Sequence, residues 1–96
     1  MCRVIVSFAS PETELIWSGR RSRRLPSDIQ SVALRKLRML NQSRVLDDLK
    51  VPPGNRLEAL KGSRAGQHSI RINDQWRICF VWVKNGALNV EIVDYH

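Results

Sequence analysis

The sequence predicts an α+β fold, with helices packed on a small, curved antiparallel sheet. Three observations predict it. Hydrophobic residues recur at helical spacing from about Pro26, the period drops to two after the Pro52, Pro53, Gly54 loop, and an Asn-Gly pair separates the last two strand-like runs. At 96 residues the chain makes a single domain, residues 1–96, with no internal repeat, linker or low-complexity stretch. Its 43% hydrophobic and 26% charged content is that of a packed body, not a disordered one.

Taken in order, residues 3–8 (RVIVSF) are apolar and rich in β-branched side chains, so they read as a strand that joins the sheet. PETELIWSG, 11–19, places Pro at a helix start, Glu12 and Glu14 in the first turn and Gly19 as a stop, which predicts a short helix. RRSRRL, 20–25, is a run of charge. From there Ser27 and Gln30 form an S-x-x-Q capping pattern, and Ile29, Val32, Ala33, Leu37 and Leu40 share one helical face. The main helix is expected over about 28–42, making two or three helices in all.

Beyond the loop, RLEAL (56–60), HSIRIN (68–73), WRICFVWV (76–83) and ALNVEIVDY (87–95) read as strands, the last three as an antiparallel meander closed by the Asn-Gly turn. Alternation puts Trp76, Ile78, Phe80 and Trp82 on one face and Arg77, Cys79 and Val81 on the other. In the last strand Leu88, Val90 and Ile92 share a face, and Asn89, Glu91, Val93 and Tyr95 the opposite one. Such a meander brings Arg77, near one strand's start, toward Tyr95 at its neighbour's end.

Sixteen Lys and Arg against nine Asp and Glu give a net charge of +7, which favours a polyanionic partner, nucleic acid first. A membrane partner would call for a basic amphipathic anchor or lipidation signal, and neither is evident. The longest apolar runs, such as ICFVWV, fall far short of the roughly 20 residues of a span. MCRVIVSFAS is too short for a signal peptide, so a cytoplasmic location is expected. Cys2 and Cys79 read as thiols without a disulfide or metal role. No Gly-rich phosphate loop, metal-ligand cluster or G-x-S-x-G elbow occurs, and no cofactor is expected.

If the polyanion is RNA and the reaction is cleavage, the site needs a base, fixed cations and an acid. Tyr95 and His96 are able to transfer protons, while Lys61 and Arg77 are able to hold a phosphate. An ordinary Tyr titrates near about 10 and needs a cationic neighbourhood to act as a base. Each residue has a plainer alternative. Lys61 fits a solvated turn, Arg77 a structural ion pair with Glu58, Asp74 or Glu91, and Tyr95 with His96 an ordinary chain end. Arg35 and Arg38 fit either a solvated helix face or a nucleic-acid footprint shared with Arg20, Arg21, Arg23 and Arg24. His68 beside Ser69 has no acid to complete a triad, and Trp17, Trp76 and Trp82 read as packing.

The residues from PPGNRLEALKGSRAGQHSIRINDQWRICFVW to the terminal VEIVDYH closely resemble the HigB toxins, the plasmid maintenance system killer branch of the RelE/ParE superfamily. The ordered combination LKGxRxGxxSI, WRIxF and DYH carries the resemblance, strongest over residues 47–96. It implies a RelE-like fold and an mRNA interferase that cuts mRNA in the ribosomal A site without a metal. It also implies inhibition by a HigA-type helix-turn-helix antitoxin, through which alone the toxin meets operator DNA. By that resemblance Lys61 and Arg77 stabilise the scissile phosphate, Tyr95 is the base, and Asp94 and His96 complete the terminal cluster. Gln75, Arg71 and Glu58 stand at substrate-binding positions, Glu58 where some relatives carry His. The arginines at 20, 21, 23, 24, 35 and 38 are expected to dock ribosomal RNA. The alternatives are a ParE-like inhibitor of DNA gyrase, since one fold hosts both activities, and an RNA-binding module without catalysis.

Overall fold

The computed structural model describes residues 5–84 and 86–94. Its elements run α1 (Pro11–Trp17), α2 (Ser27–Gln42), β1 (Glu58–Ala59), β2 (His68–Arg71), β3 (Trp76–Val83) and β4 (Gly86–Asp94), with short 3-10 turns at Leu46–Lys50, Pro53–Asn55 and Gly62–Arg64. The strands form an antiparallel sheet in the order β1-β2-β3-β4, as the α+β expectation requires.

Local chemistry explains both helices. Ser10 caps α1 by accepting the Thr13 N–H at 3.3 Å, Pro11 opens the first turn, and Glu12 and Glu14 meet the positive end of the helix dipole. Gly19, at φ +85°, ends it: Gly19 N–H reaches the Ile16 carbonyl and Arg20 N–H the Leu15 carbonyl, a left-handed cap that few side chains tolerate. In α2 the expected capping box is absent. Pro26 is the capping position and makes no side-chain bond, Ser27 is already helical, and Gln30 turns back to the preceding loop instead.

The buried face of α2, with Ile29, Ala33, Leu37 and Leu40, packs on the sheet side that carries Ile70, Ile78, Phe80, Val90 and Ile92. Burying such a side chain contributes about 1.5–3 kcal/mol, which makes this layer the main source of stability. Trp17, Trp76 and Trp82 lean on the same cluster, and His68 stacks near Phe80 at 6.3 Å. Helix α1 is fastened separately, because the buried Thr13 hydroxyl accepts the Ile92 N–H of β4 at 2.8 Å.

Two strand expectations change. The N-terminal run forms only isolated parallel bridges to β4, Ile5 with Ala87 and Phe8 with Val90, and residues 3 and 4 lie outside the described residues. A bulge also breaks the alternation of β4. Asn89, at φ +53°, adds a residue opposite Phe80, so Leu88 faces Val81 and shares its side instead of that of Val90 and Ile92. At the hairpin Val83 pairs with Gly86, which therefore belongs to β4, and Asn85 lies outside the described residues.

Candidate functional site

The polar face of the sheet is the one turned away from the helices. Register lines up Glu58, Ser69, Cys79 and Glu91 in one cross-strand row, and Arg71, Arg77 and Val93 in the next. Paired residues project to the same side, so these groups share one surface.

Arg77 is its centre and is buried. Its Nε donates to Ser69 Oγ at 2.8 Å, and its Nη2 donates to the Arg56 carbonyl at 2.6 Å and lies 3.0 Å from Glu58 Oε1. Burial of a guanidinium is tolerated when it is paired and its donors are satisfied, and these partners meet the Nε and Nη2 donors. Of the three acids open to it from sequence, Glu58 is therefore an ion-pair partner. Asp74 bonds Arg71, while Glu91 meets Arg64 at 2.9 Å, and Arg64 also donates to Gln67 Oε1 at 3.1 Å. Cys79, fully buried, sits among these charges. Burial pushes its thiol up, and Arg64, Glu91 and Arg77 are the charges that bear on it.

Lys61 follows β1 after one intervening residue, Leu60, in the turn that also carries Arg64, and is exposed. Asp94 opposes Trp76, whereas Val93 opposes Arg77, so alternation places Asp94 on the other side of β4 from the arginine. Its Oδ2 accepts from Gln75 Nε2 at 3.0 Å, and Asn73 Oδ1 holds that turn by accepting from the Gln75 and Trp76 N–H groups. Gln75 and Asp94 thus form a second cluster at the strand end. Tyr95, His96 and Cys2 lie outside the described residues.

Arg20, Arg21, Arg23 and Arg24 are exposed on a turn between the helices whose backbone is tightly specified. The buried Ser22 hydroxyl donates to the Glu12 carboxylate and accepts the Arg24 and Leu25 N–H groups. Gln30 accepts the Ser22 N–H and donates to the Ser22 and Leu25 carbonyls at 2.8 Å. Arg35 and Arg38 are separate from this turn, on the outward face of α2. Between α2 and the loop, buried Lys36 donates to Asn55 Oδ1, and burial, with Arg35 and Arg71 nearby, lowers its pKa.

The sequence-selected residues therefore divide into the Arg77 face, the Gln75 and Asp94 pair, the basic turn and the α2 arginines. Ser69 and Gln30, which orient two of these groups, are missed as site residues from sequence. The one signal that bears on Ser69 is a hydroxyl at an alternate position of the strand that pairs with the one carrying the internal Arg77. Among the described residues no three His, Cys, Asp or Glu side chains gather as a metal-ligand set, and no helix is long and apolar enough to cross a membrane.

Comparison with known proteins bears on this arrangement. A family model described as the RelE-like toxin of the type II toxin-antitoxin system HigB matches residues 13–96. Toxin HigB-1 of Vibrio cholerae serotype O1 is 46% identical over 70 residues, covering 73% of this chain and 74% of that protein. An uncharacterised protein of Haemophilus influenzae is 35% identical over 72 residues, covering 75% of this chain and 71% of its own length.

Proposed function

The chain belongs to the HigB-like toxins of type II toxin-antitoxin systems, and we propose that it is a ribosome-dependent endoribonuclease cutting translated mRNA. A toxin of such a system has an antitoxin partner; the partner proposed here is of the HigA helix-turn-helix type. The observation that carries the enzymatic reading is the buried Arg77 guanidinium, oriented by Ser69, the Arg56 carbonyl and Glu58 on an otherwise apolar strand.

In the proposed reaction the ribose 2′-oxygen attacks the adjacent phosphorus and the bond to the 5′-oxygen breaks. Tyr95, as base, takes the 2′-proton, and His96 supplies the proton to the leaving oxygen, while Asp94, held by Gln75 on the other side of β4, fixes the strand end just before them. Negative charge accumulates on the phosphorus oxygens, where Arg77 and Lys61 stabilise it. The Glu58 side chain is 53% exposed and that of Arg77 only 10%. A phosphate can therefore displace Glu58 into water while Ser69 and the Arg56 carbonyl keep the guanidinium in place. Arg71 shares the Arg77 face and would position the nucleotide there, and Gln75 would contact it from the second cluster, beside Asp94.

The exposed arginines at 20, 21, 23 and 24 supply electrostatic docking to ribosomal RNA. Ribosome dependence follows physically, because a flexible mRNA reaches attack geometry only when another body holds it. The test is incubation of the purified chain with mRNA, with and without translating ribosomes, beside a gyrase supercoiling assay. Cuts that require ribosomes support the reading. Cleavage of naked RNA at equal rate removes the ribosome from it, and gyrase inhibition without cleavage replaces it.

A further inference from the structure

The outward face of α2 holds a groove that the proposed cleavage chemistry does not use, lined by Ser31, Leu34, Arg35, Arg38, Met39 and Gln42. Leu34 and Met39 form an apolar floor; both lean inward on the core yet remain part-exposed. The Asn55 amide nitrogen lies 3.0 Å from the Met39 sulfur and 3.5 Å from the Val51 carbonyl, and Val51 is 70% exposed. Arg35 and Arg38 stand one helical turn apart, and among the described residues no acid pairs with either.

We propose that this groove docks the antitoxin by taking an acidic amphipathic helix from it, an inference that rests on the toxin-antitoxin reading. The floor needs an apolar stripe to cover it, as helix-in-groove partners provide. The two arginines need carboxylates one turn apart on the flank of that stripe, the spacing a helix gives at positions i and i+3 or i+4. RNA fits less well, since the lining offers no aromatic ring on which a base could stack and interrupts the cationic surface with Leu34 and Met39. Arg35 and Arg38 are thereby assigned to protein recognition, whereas the arginines of the basic turn remain with RNA. The groove lies on the helix side of the sheet, opposite the face of Arg77.

The test uses the whole 96-residue chain and its cognate antitoxin of the HigA type. Arg35→Glu with Arg38→Glu, an exposed pair, should weaken antitoxin affinity by about 10-fold or more in calorimetry, while Arg23→Glu with Arg24→Glu leaves it within about 3-fold. Hydrogen exchange on the unmutated complex should show new protection of the α2 residues 31–42, independently of any variant. Unchanged affinity of the α2 double variant together with no added protection there overturns the proposal. Loss of RNA or ribosome affinity by that variant, with antitoxin binding intact, overturns it in favour of RNA. If the unmutated chain binds no antitoxin at all, it is the toxin-antitoxin reading that fails.

Discussion

Glu58 and Arg77 lie 3.0 Å apart across the polar face of the sheet, the carboxylate half in water and the guanidinium almost wholly out of it. The asymmetry makes the pair a latch: solvent screens the carboxylate, while Ser69 and a backbone carbonyl hold the guanidinium.

Loss of the latch and loss of the cation should have different effects. Glu58→Gln should cost less than about 1 kcal/mol of stability, as expected for a partly screened pair, and should tighten binding of an uncleavable mRNA on the ribosome. Arg77→Lys keeps the charge but loses the fork that bonds Ser69 and a phosphate together, and should lower single-turnover cleavage by about 10²–10³. Denaturant titration and quenched-flow cleavage separate the two effects.

Ser69→Ala removes the oxygen that accepts the Arg77 Nε–H. It should destabilise by about 1–3 kcal/mol, because a buried charged donor loses its partner, and should slow cleavage without changing ribosome affinity. A variant as active as the parent would show that Ser69 does not orient the arginine.

The basic turn depends on Gln30, whose amide makes three bonds to the turn's backbone. Gln30→Ala should release that backbone, costing about 1–3 kcal/mol. Replacing Arg23 and Arg24 by Gln should instead leave stability nearly unchanged and flatten the salt dependence of ribosome binding, by about 0.7–0.9 in slope for each phosphate no longer neutralised. Filter binding over a salt series distinguishes disorder of the platform from loss of its charges.

Lys36 sets a pH dependence. Burial first, then Arg35 and Arg71, lowers its pKa in the folded chain below the ordinary 10.5. Below that lowered value the amine is charged in both folded and unfolded states, so its contribution is constant. As pH rises from there toward 10.5, the folded chain has released a proton that the unfolded chain still binds, and stability at this site increases. The stability of the parent relative to Lys36→Met should therefore move in favour of the parent between neutral and alkaline pH. A gap that stays constant or moves the other way would contradict the burial of this amine.

Much of the fold was legible because its signals are local. Gly19, the Pro11 start, the spacing of Ile29, Ala33, Leu37 and Leu40, and the alternation of Trp76 to Trp82 each follow from backbone or packing rules within a few residues. Three features were not. Gln30 looked like a capping partner for Ser27, since sequence does not show that the preceding turn offers it better bonds at Ser22 and Leu25. The phase of β4 slips at Asn89 because one left-handed residue breaks a period of two. Arg77's partner could not be chosen among Glu58, Asp74 and Glu91 without register, and register also places Asp94 opposite Trp76 and Val93 opposite Arg77.

That bulge is itself testable. Asn89 holds φ +53°, which Gly adopts freely and a β-branched residue resists. Asn89→Val should destabilise by about 1–2 kcal/mol or more, whereas Asn89→Gly should be close to neutral, as read from urea midpoints.

The Arg77 face and the chain's last residues together are proposed to cut mRNA on the ribosome. The most direct measurement is single-turnover cleavage of a defined mRNA in a purified translation system, comparing the parent with Arg77→Lys and Tyr95→Phe. Cuts that require ribosomes and fall by about 100-fold or more in both folded variants are the predicted result. Cleavage unchanged in both variants, or absent from the folded parent, would contradict it.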